Sequence, residues 1–240
     1  MLNFHYCPIS IKFFSVLFIL ALLLTPIFVF ADCGKAGTTV VFTNGIWGDE
    51  ISAKNNLKQL NREYSKRGFL DDVTFVNSYN QTHMLGFMDV INSITQAYGA
   101  SGADYDLTNI LLNLHKDLNT QKVLLVGHSQ GTFYTNAAYE YLIGHGVDKD
   151  SISVYNVATP ADRVAGNGKY LTSSTDEVIN TIVTNLAIIG GVNRPLPANI
   201  EIKIPKEPEV DYGRGHSFGT VYLGLASNRI IGDIDGQIAI

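Results

Sequence analysis

Ser129 lies in the run K-V-L-L-V-G-H-S-Q-G over residues 122–131. Four apolar residues, Val123 to Val126, lead straight into Gly127-His128-Ser129-Gln130-Gly131. The residues that follow, Thr132-Phe133-Tyr134-Thr135-Asn136-Ala137-Ala138-Tyr139, read as a helix. A serine held in G-x-S-x-G between a strand and a helix is the arrangement of an activated nucleophile. The flanking glycines let strand and helix approach where a Cβ would clash. The sharp turn strains the Ser129 backbone and pushes its hydroxyl out at the carboxyl end of a buried strand. The backbone N–H of Gln130 then stands at a helix N-terminus, where it faces a developing oxyanion. The chemistry implied is attack on a carbonyl carbon. A serine hydroxyl needs a base to take its proton and a carboxylate to orient that base.

The elements that must position such a group alternate along the chain. Residues 38–43 (TTVVFT) read as a buried strand. Residues 49–67 read as an amphipathic helix, with Ala53, Leu57, Leu60 and Tyr64 on one face. Its first turn is acidic (Asp49, Glu50), its last basic (Lys66, Arg67), and Gly68 stops it. Strands are expected at 73–78, 123–126, 151–157, 169–173 and 200–204. Helices are expected at 83–99 and 105–118, and from Ser217 to Ser227. Near-continuous apolar strands alternating with helices predict an α/β fold, a mostly parallel sheet with helices on both faces. Active sites of such sheets lie at the carboxyl ends of the strands.

Bulk features bound the reading further. Residues 13–31 are almost wholly apolar, and Lys12 is the one charged residue before them. With Val29-Phe30-Ala31 as a cleavage site, residues 1–31 read as a secretory leader cut before Asp32. The alternative is a retained membrane anchor, since the run is long enough to span a bilayer. Cleavage leaves residues 32–240 as one domain with a full core. It removes Lys12 and takes the net charge from −5 to −6. No basic run suggests nucleic acid. Cys7 leaves with the leader, so Cys33 has no intramolecular disulfide partner. The chain has no H-x-x-H, C-x-x-C or clustered acidic pattern, and its Gly-rich stretches lack the context of a phosphate loop. Neither metal nor cofactor is expected.

Over residues 38 to about 225 the chain resembles the α/β-hydrolase family, its lipase and esterase branch in particular, most specifically in G-H-S-Q-G. The resemblance implies the chain order nucleophile, acid, histidine. It makes His216, in Gly213-Arg214-Gly215-His216-Ser217-Phe218-Gly219, the base. The other downstream histidine, His145, reads as an exposed cap at the far end of the helix behind Ser129. His128 is expected to pack beside the nucleophile. His83 and His115 lie upstream and read as surface or lid residues. For the acid the resemblance favours Asp176, in the turn after residues 169–173. Asp162, one strand earlier and adjoining Arg163, is the alternative, with Glu177 and Asp211 behind it. The loop Asn44-Gly45-Ile46-Trp47-Gly48-Asp49 is similar to the H-G-x-x-G loop of bacterial lipases, with Asn44 in the histidine's place. By that likeness the oxyanion hole combines the N–H groups of Ile46 and Gln130, and Gly45 lets the backbone approach the substrate. Trp47, the only tryptophan, either walls an acyl pocket or packs on the sheet edge.

Two apolar stretches bear on the substrate. Residues 84–94 hold Met84, Leu85, Phe87, Met88, Val90, Ile91 and Ile94, and read as a sheet-covering helix or as lining for an acyl site. Residues 179–192 read as a lid or as a helix before the last strand. Either favours an apolar acyl chain. The expected partner is a small-molecule or lipid ester, a lipid adding transient contact with a membrane surface. Oligomeric state is left open. The leading reading is an exported serine hydrolase of carboxylic esters. Rivals in the same fold are a thioesterase, a phospholipase and an acyltransferase. Rivals of another class are a non-catalytic binding protein that keeps the serine turn, and an interaction protein tethered by its N-terminus.

Overall fold

The computed structural model describes residues 35–45, 49–68, 72–79, 120–207 and 210–238. In chain order these form β1 (Lys35–Thr43), α1 (Glu50–Ser65), β2 (Val73–Asn77), β3 (Thr120–His128), α2 (Gly131–Gly144), β4 (Ile152–Val157), β5 (Lys169–Leu171), α3 (Thr184–Gly190) and α4 (Gly224–Ile238). A π-helical turn, Val178–Val183, runs into α3, and another, Phe218–Leu223, runs into α4. The expected leader and the expected helices at 83–99 and 105–118 lie outside the described residues. Among the described residues no helix is long and apolar enough to cross a membrane.

The five strands form one sheet in the order β2-β1-β3-β4-β5, and every pairing is parallel. Period-two alternation splits each strand between two cores. Val40, Phe42, Leu124, Val126, Tyr155 and Val157 point to one face. There they meet Leu60 and Tyr64 of α1, Phe218 and Val221, and Ile230, Ile231 and Ile234 of α4. Val41, Leu125, Ile152 and Val154 point to the other face and meet Ala138 of α2 and Ala165. Covered on both faces, the strands have no solvent side on which polar residues could alternate, hence their continuous apolar runs. Each large aliphatic side chain buried this way contributes about 1.5–3 kcal/mol. The fold is α/β with a parallel sheet.

Local signals act where expected in α1. The Asp49 side chain caps it by accepting from Ser52 N–H at 2.6 Å, and Ala53, Leu60 and Tyr64 are buried. Two expectations are corrected. Residues 200–204 are not a strand: only Ile200 bridges, to Ser173. Side chains take over the bonds a ladder would use. Ser173 Oγ accepts from Ile202 N–H at 3.1 Å, Thr175 Oγ1 donates to Ile202 C=O at 2.9 Å, and Asn199 Oδ1 accepts from Thr172 N–H at 2.9 Å. The last helix does not end at Ser227. It is non-helical at Ala226 and continues to Ile238, because Ile230, Ile231 and Ile234 extend its apolar face onto the sheet.

Chain order reverses around β1, which pairs with β2 on one side and β3 on the other. Their carboxyl ends, Thr43 and His128, therefore open at the crevice where parallel sheets bind ligands.

Candidate active site

Ser129 follows β3 with φ +55°, a conformation a non-glycine residue seldom adopts. Its N–H donates to Val157 C=O at 3.0 Å, and its C=O accepts from Thr132 Oγ1 at 2.8 Å. The flanking glycines are required by proximity. A Cβ on Gly127 would lie 2.7 Å from Thr132 Cα, and one on Gly131 would fall on the Thr43 carbonyl. A buried polar network braces the turn from behind. Thr135 Oγ1 donates to Asn156 Oδ1 at 2.8 Å, and Asn156 Nδ2 donates to Asn136 Oδ1 at 3.1 Å. Thr159 Oγ1 donates to Thr132 Oγ1 at 3.0 Å. Such networks over-determine a strained backbone.

His216 enters from the other end of the sequence. Gly213, Arg214 and Gly215 take φ +54°, +55° and +82° in succession, turning the chain just before the histidine. A Cβ on Gly215 would strike the Thr175 carbonyl, so the histidine loop rests directly on the loop carrying Asp176. The imidazole spans the two remaining groups: Nε2 is 2.8 Å from Ser129 Oγ, and Nδ1 is 2.8 Å from Asp176 Oδ2. The carboxylate accepts at Nδ1, which puts the proton there and leaves Nε2 to accept from the serine hydroxyl. Asp176 is fully buried, and its Oδ1 accepts from Ile179 N–H at 3.1 Å.

The other carboxylates considered are turned to different partners. Asp162 accepts from Asn193 Nδ2 and lies 3.8 Å from the Arg163 guanidinium. Glu177 pairs with Arg214 at 3.0 Å. Asp211 accepts from Gly213 N–H at 2.8 Å. His145 caps α2, exposed, its ring stacked on Tyr141. His83 and His115 lie outside the described residues.

His128 is buried beside His216, their ring centroids 5.0 Å apart. Its Nε2 donates to the His216 carbonyl at 3.0 Å. Burial, with a smaller contribution from the neighbouring His216, pushes its pKa down to about 3. It is therefore a neutral, fixed donor to the backbone of His216. Its place beside Ser129 was legible in G-H-S-Q-G; its bond to the His216 backbone was not, because the acceptor is 88 residues away.

Gln130 occupies the N-cap position of α2. Ile46 and Trp47 lie outside the described residues, as does the apolar stretch at 84–94. Asn44, buried, donates from Nδ2 to Gly45 C=O at 2.8 Å. Residues 179–190 are helical, and Ile179, Val183 and Ala187 face the core, whereas Ile188 and Ile189 are exposed. This is a helix packed on the sheet, with an apolar tip.

Sequence reasoning missed two contributors. Asn156, at the end of β4, is an amide with no exposure at the centre of the bracing network. An amide in the apolar run ISVYNV was the available signal. Tyr222, six residues after His216, sits against Asp176.

No protein-family model matches the chain, and no curated protein sequence matches it. Solved structures similar to it at low levels include the following two. A cutinase-like protein from Cryptococcus sp. aligns with 55% of this chain at 18% identity and a TM-score of 0.35. The aligned part spans 58% of that protein's length. An oxidoreductase from Corynebacterium diphtheriae aligns with 85% of this chain and 97% of its own length, at 10% identity and a TM-score of 0.31.

Proposed function

We propose that this chain is a serine hydrolase of carboxylic esters with an apolar acyl group, lipase- or esterase-like and of the α/β-hydrolase type. Ser129 is the nucleophile, His216 the general base and Asp176 the acid that orients it. The observation that supports the reading is the relay Ser129 Oγ–His216 Nε2 and His216 Nδ1–Asp176 Oδ2, each 2.8 Å, with the serine on a positive-φ turn.

In this reading His216 Nε2 takes the hydroxyl proton as Ser129 Oγ bonds to the ester carbonyl carbon. The carbonyl oxygen becomes an oxyanion, stabilised by the N–H groups of Gln130 and Ile46, each contributing about 3 kcal/mol. Collapse breaks the bond to the alcohol oxygen, which receives the proton from His216. Water then attacks the acyl-enzyme by the same route and regenerates Ser129. Asp176 stabilises the imidazolium formed in both halves without taking its proton. Residues 1–31 are a leader, residues 32–240 the catalytic domain, and the protein is exported.

A fluorophosphonate probe tests the assignment. It should label the wild type at Ser129, mapped by mass spectrometry, and leave Ser129→Ala unlabelled. Equal labelling of both, or of neither, overturns it. Labelling without hydrolysis of any ester or thioester moves the reaction to acyl transfer. N-terminal sequencing of the exported protein should begin at Asp32.

A further inference from the structure

Asp176 receives more than one side-chain donor. Its Oδ2 lies 2.8 Å from His216 Nδ1 and also accepts from Tyr222 Oη at 2.9 Å. Tyr222 has no exposure, and its oxygen in turn accepts from Ser173 N–H at 3.0 Å. The phenol is thus pinned from one side and directed at the carboxylate on the other. Burial first, and the Asp176 charge second, push its ionisation far above the ordinary tyrosine range, so it remains a donor. Its direction depends on an uncommon backbone. Both Val221 N–H and Tyr222 N–H reach the Ser217 carbonyl, at 3.0 and 3.2 Å, the second being the wide bond of a π-helical turn. Such turns are rare and often occur at functional sites.

We infer that Tyr222 is a positioning residue for the base. By sharing Asp176 Oδ2 with His216, it sets the carboxylate's orientation and the strength of the His216–Asp176 hydrogen bond. This rests on the proposed roles of Ser129, His216 and Asp176. A phenol donor withdraws charge from the oxygen that faces the imidazole and, together with Ile179 N–H on Oδ1, fixes the carboxylate's orientation. A hydrogen bond to a charged group stabilises by more than one between neutral groups. Tyr155 supplies the contrast. It is equally buried in the same core, but its hydroxyl donates to Asp233, at 3.2 Å, instead of to Asp176.

The test compares Tyr222→Phe with Tyr155→Phe by two measurements. The first is steady-state hydrolysis of a p-nitrophenyl ester. Tyr222→Phe should lower kcat by about tenfold or more, the effect of one hydrogen bond to a charged group, with KM within about twofold. Tyr155→Phe should lower the melting temperature and leave kcat within about twofold. The second is the downfield proton NMR signal of His216 Nδ1–H, which needs no turnover. It should move in Tyr222→Phe and stay in Tyr155→Phe. If Tyr222→Phe does not fold, 3-fluorotyrosine at position 222 keeps the shape and sharpens the donor, and the signal should move with it. An unmoved signal, or equal kinetic effects of the two phenylalanine variants, overturns the inference. A moved signal in a protein that hydrolyses no ester overturns the proposed reaction and leaves the role of Tyr222 standing.

Discussion

Gly45 and Ser129 meet across the crevice between β1 and β3: a Cβ on Gly45 would lie 2.6 Å from Ser129 Cβ and 3.1 Å from its Oγ. The glycine was expected to make room for substrate. Its absent side chain makes room first for the Ser129 side chain. Ser129 cannot retreat, since its backbone is bonded to Val157 and Thr132.

Gly45→Ala should therefore displace the Ser129 side chain or the loop after β1. A displacement near 1 Å at a reacting group costs on the order of 100-fold in rate. We expect kcat/KM for a p-nitrophenyl ester to fall by about that factor, with an unchanged far-UV circular dichroism spectrum. Wild-type turnover in this variant would mean the two residues do not share the reacting space.

The carboxylates considered for the acid separate by partner. Asp176→Asn presents Nδ1 with an amide that cannot enforce the same tautomer, and should cost about 10⁴-fold in kcat. His216→Ala should be at least as severe. Asp162→Asn should stay within a fewfold of wild type, because Asp162 bonds to Asn193 and Arg163. Steady-state kinetics on the three variants checks the ranking; a reversed order of the two Asp variants moves the acid one strand earlier.

His128 ties stability to pH. Its pKa is about 3 in the folded chain against 6.5 for the free side chain. Between these values the unfolded chain binds a proton that the folded chain refuses, so acidification favours unfolding. The contribution is fully present above about pH 6.5. It is lost as pH falls toward 3, by up to about 1.4 kcal/mol per pH unit. Urea denaturation of wild type and His128→Gln across this window should give the wild type the steeper loss.

Acyl preference is read from a series of p-nitrophenyl esters from acetate to palmitate. Each methylene buried in an apolar site should strengthen transition-state binding by up to about 0.8 kcal/mol, roughly fourfold, until the site is full. A rise in kcat/KM to a mid-length chain supports the apolar acyl reading. A steady fall from acetate means a small acyl site and an acetyl-esterase.

Much of this was legible in sequence because it is local. The run VLLV and the two glycines around Ser129 imply a buried strand, a tight turn and a helix within about fifteen residues, and φ at Ser129 is positive. Alternation within β1 and β3, Val40 against Val41 and Leu124 against Leu125, follows from the pleat and divides the two cores. The amphipathic face and acidic cap of α1 follow from helix geometry.

Tertiary structure alone decided what depends on facing groups across the chain. Asp176 and Asp162 are the same residue type, and only the family resemblance set Asp176 ahead; which one meets an imidazole is decided by the Gly215 turn lying on Thr175, some forty residues away. Residues 200–204 have the composition of a strand, but Ser173 and Thr175 offered their backbone other bonds. Tyr222 reads as one more apolar helix residue, and only the wide turn after Ser217 aims its hydroxyl at Asp176. Propensity acts over a few residues, whereas a carboxylate, an amide or a phenol acquires its role from whatever polar group the packed fold sets within about 3 Å.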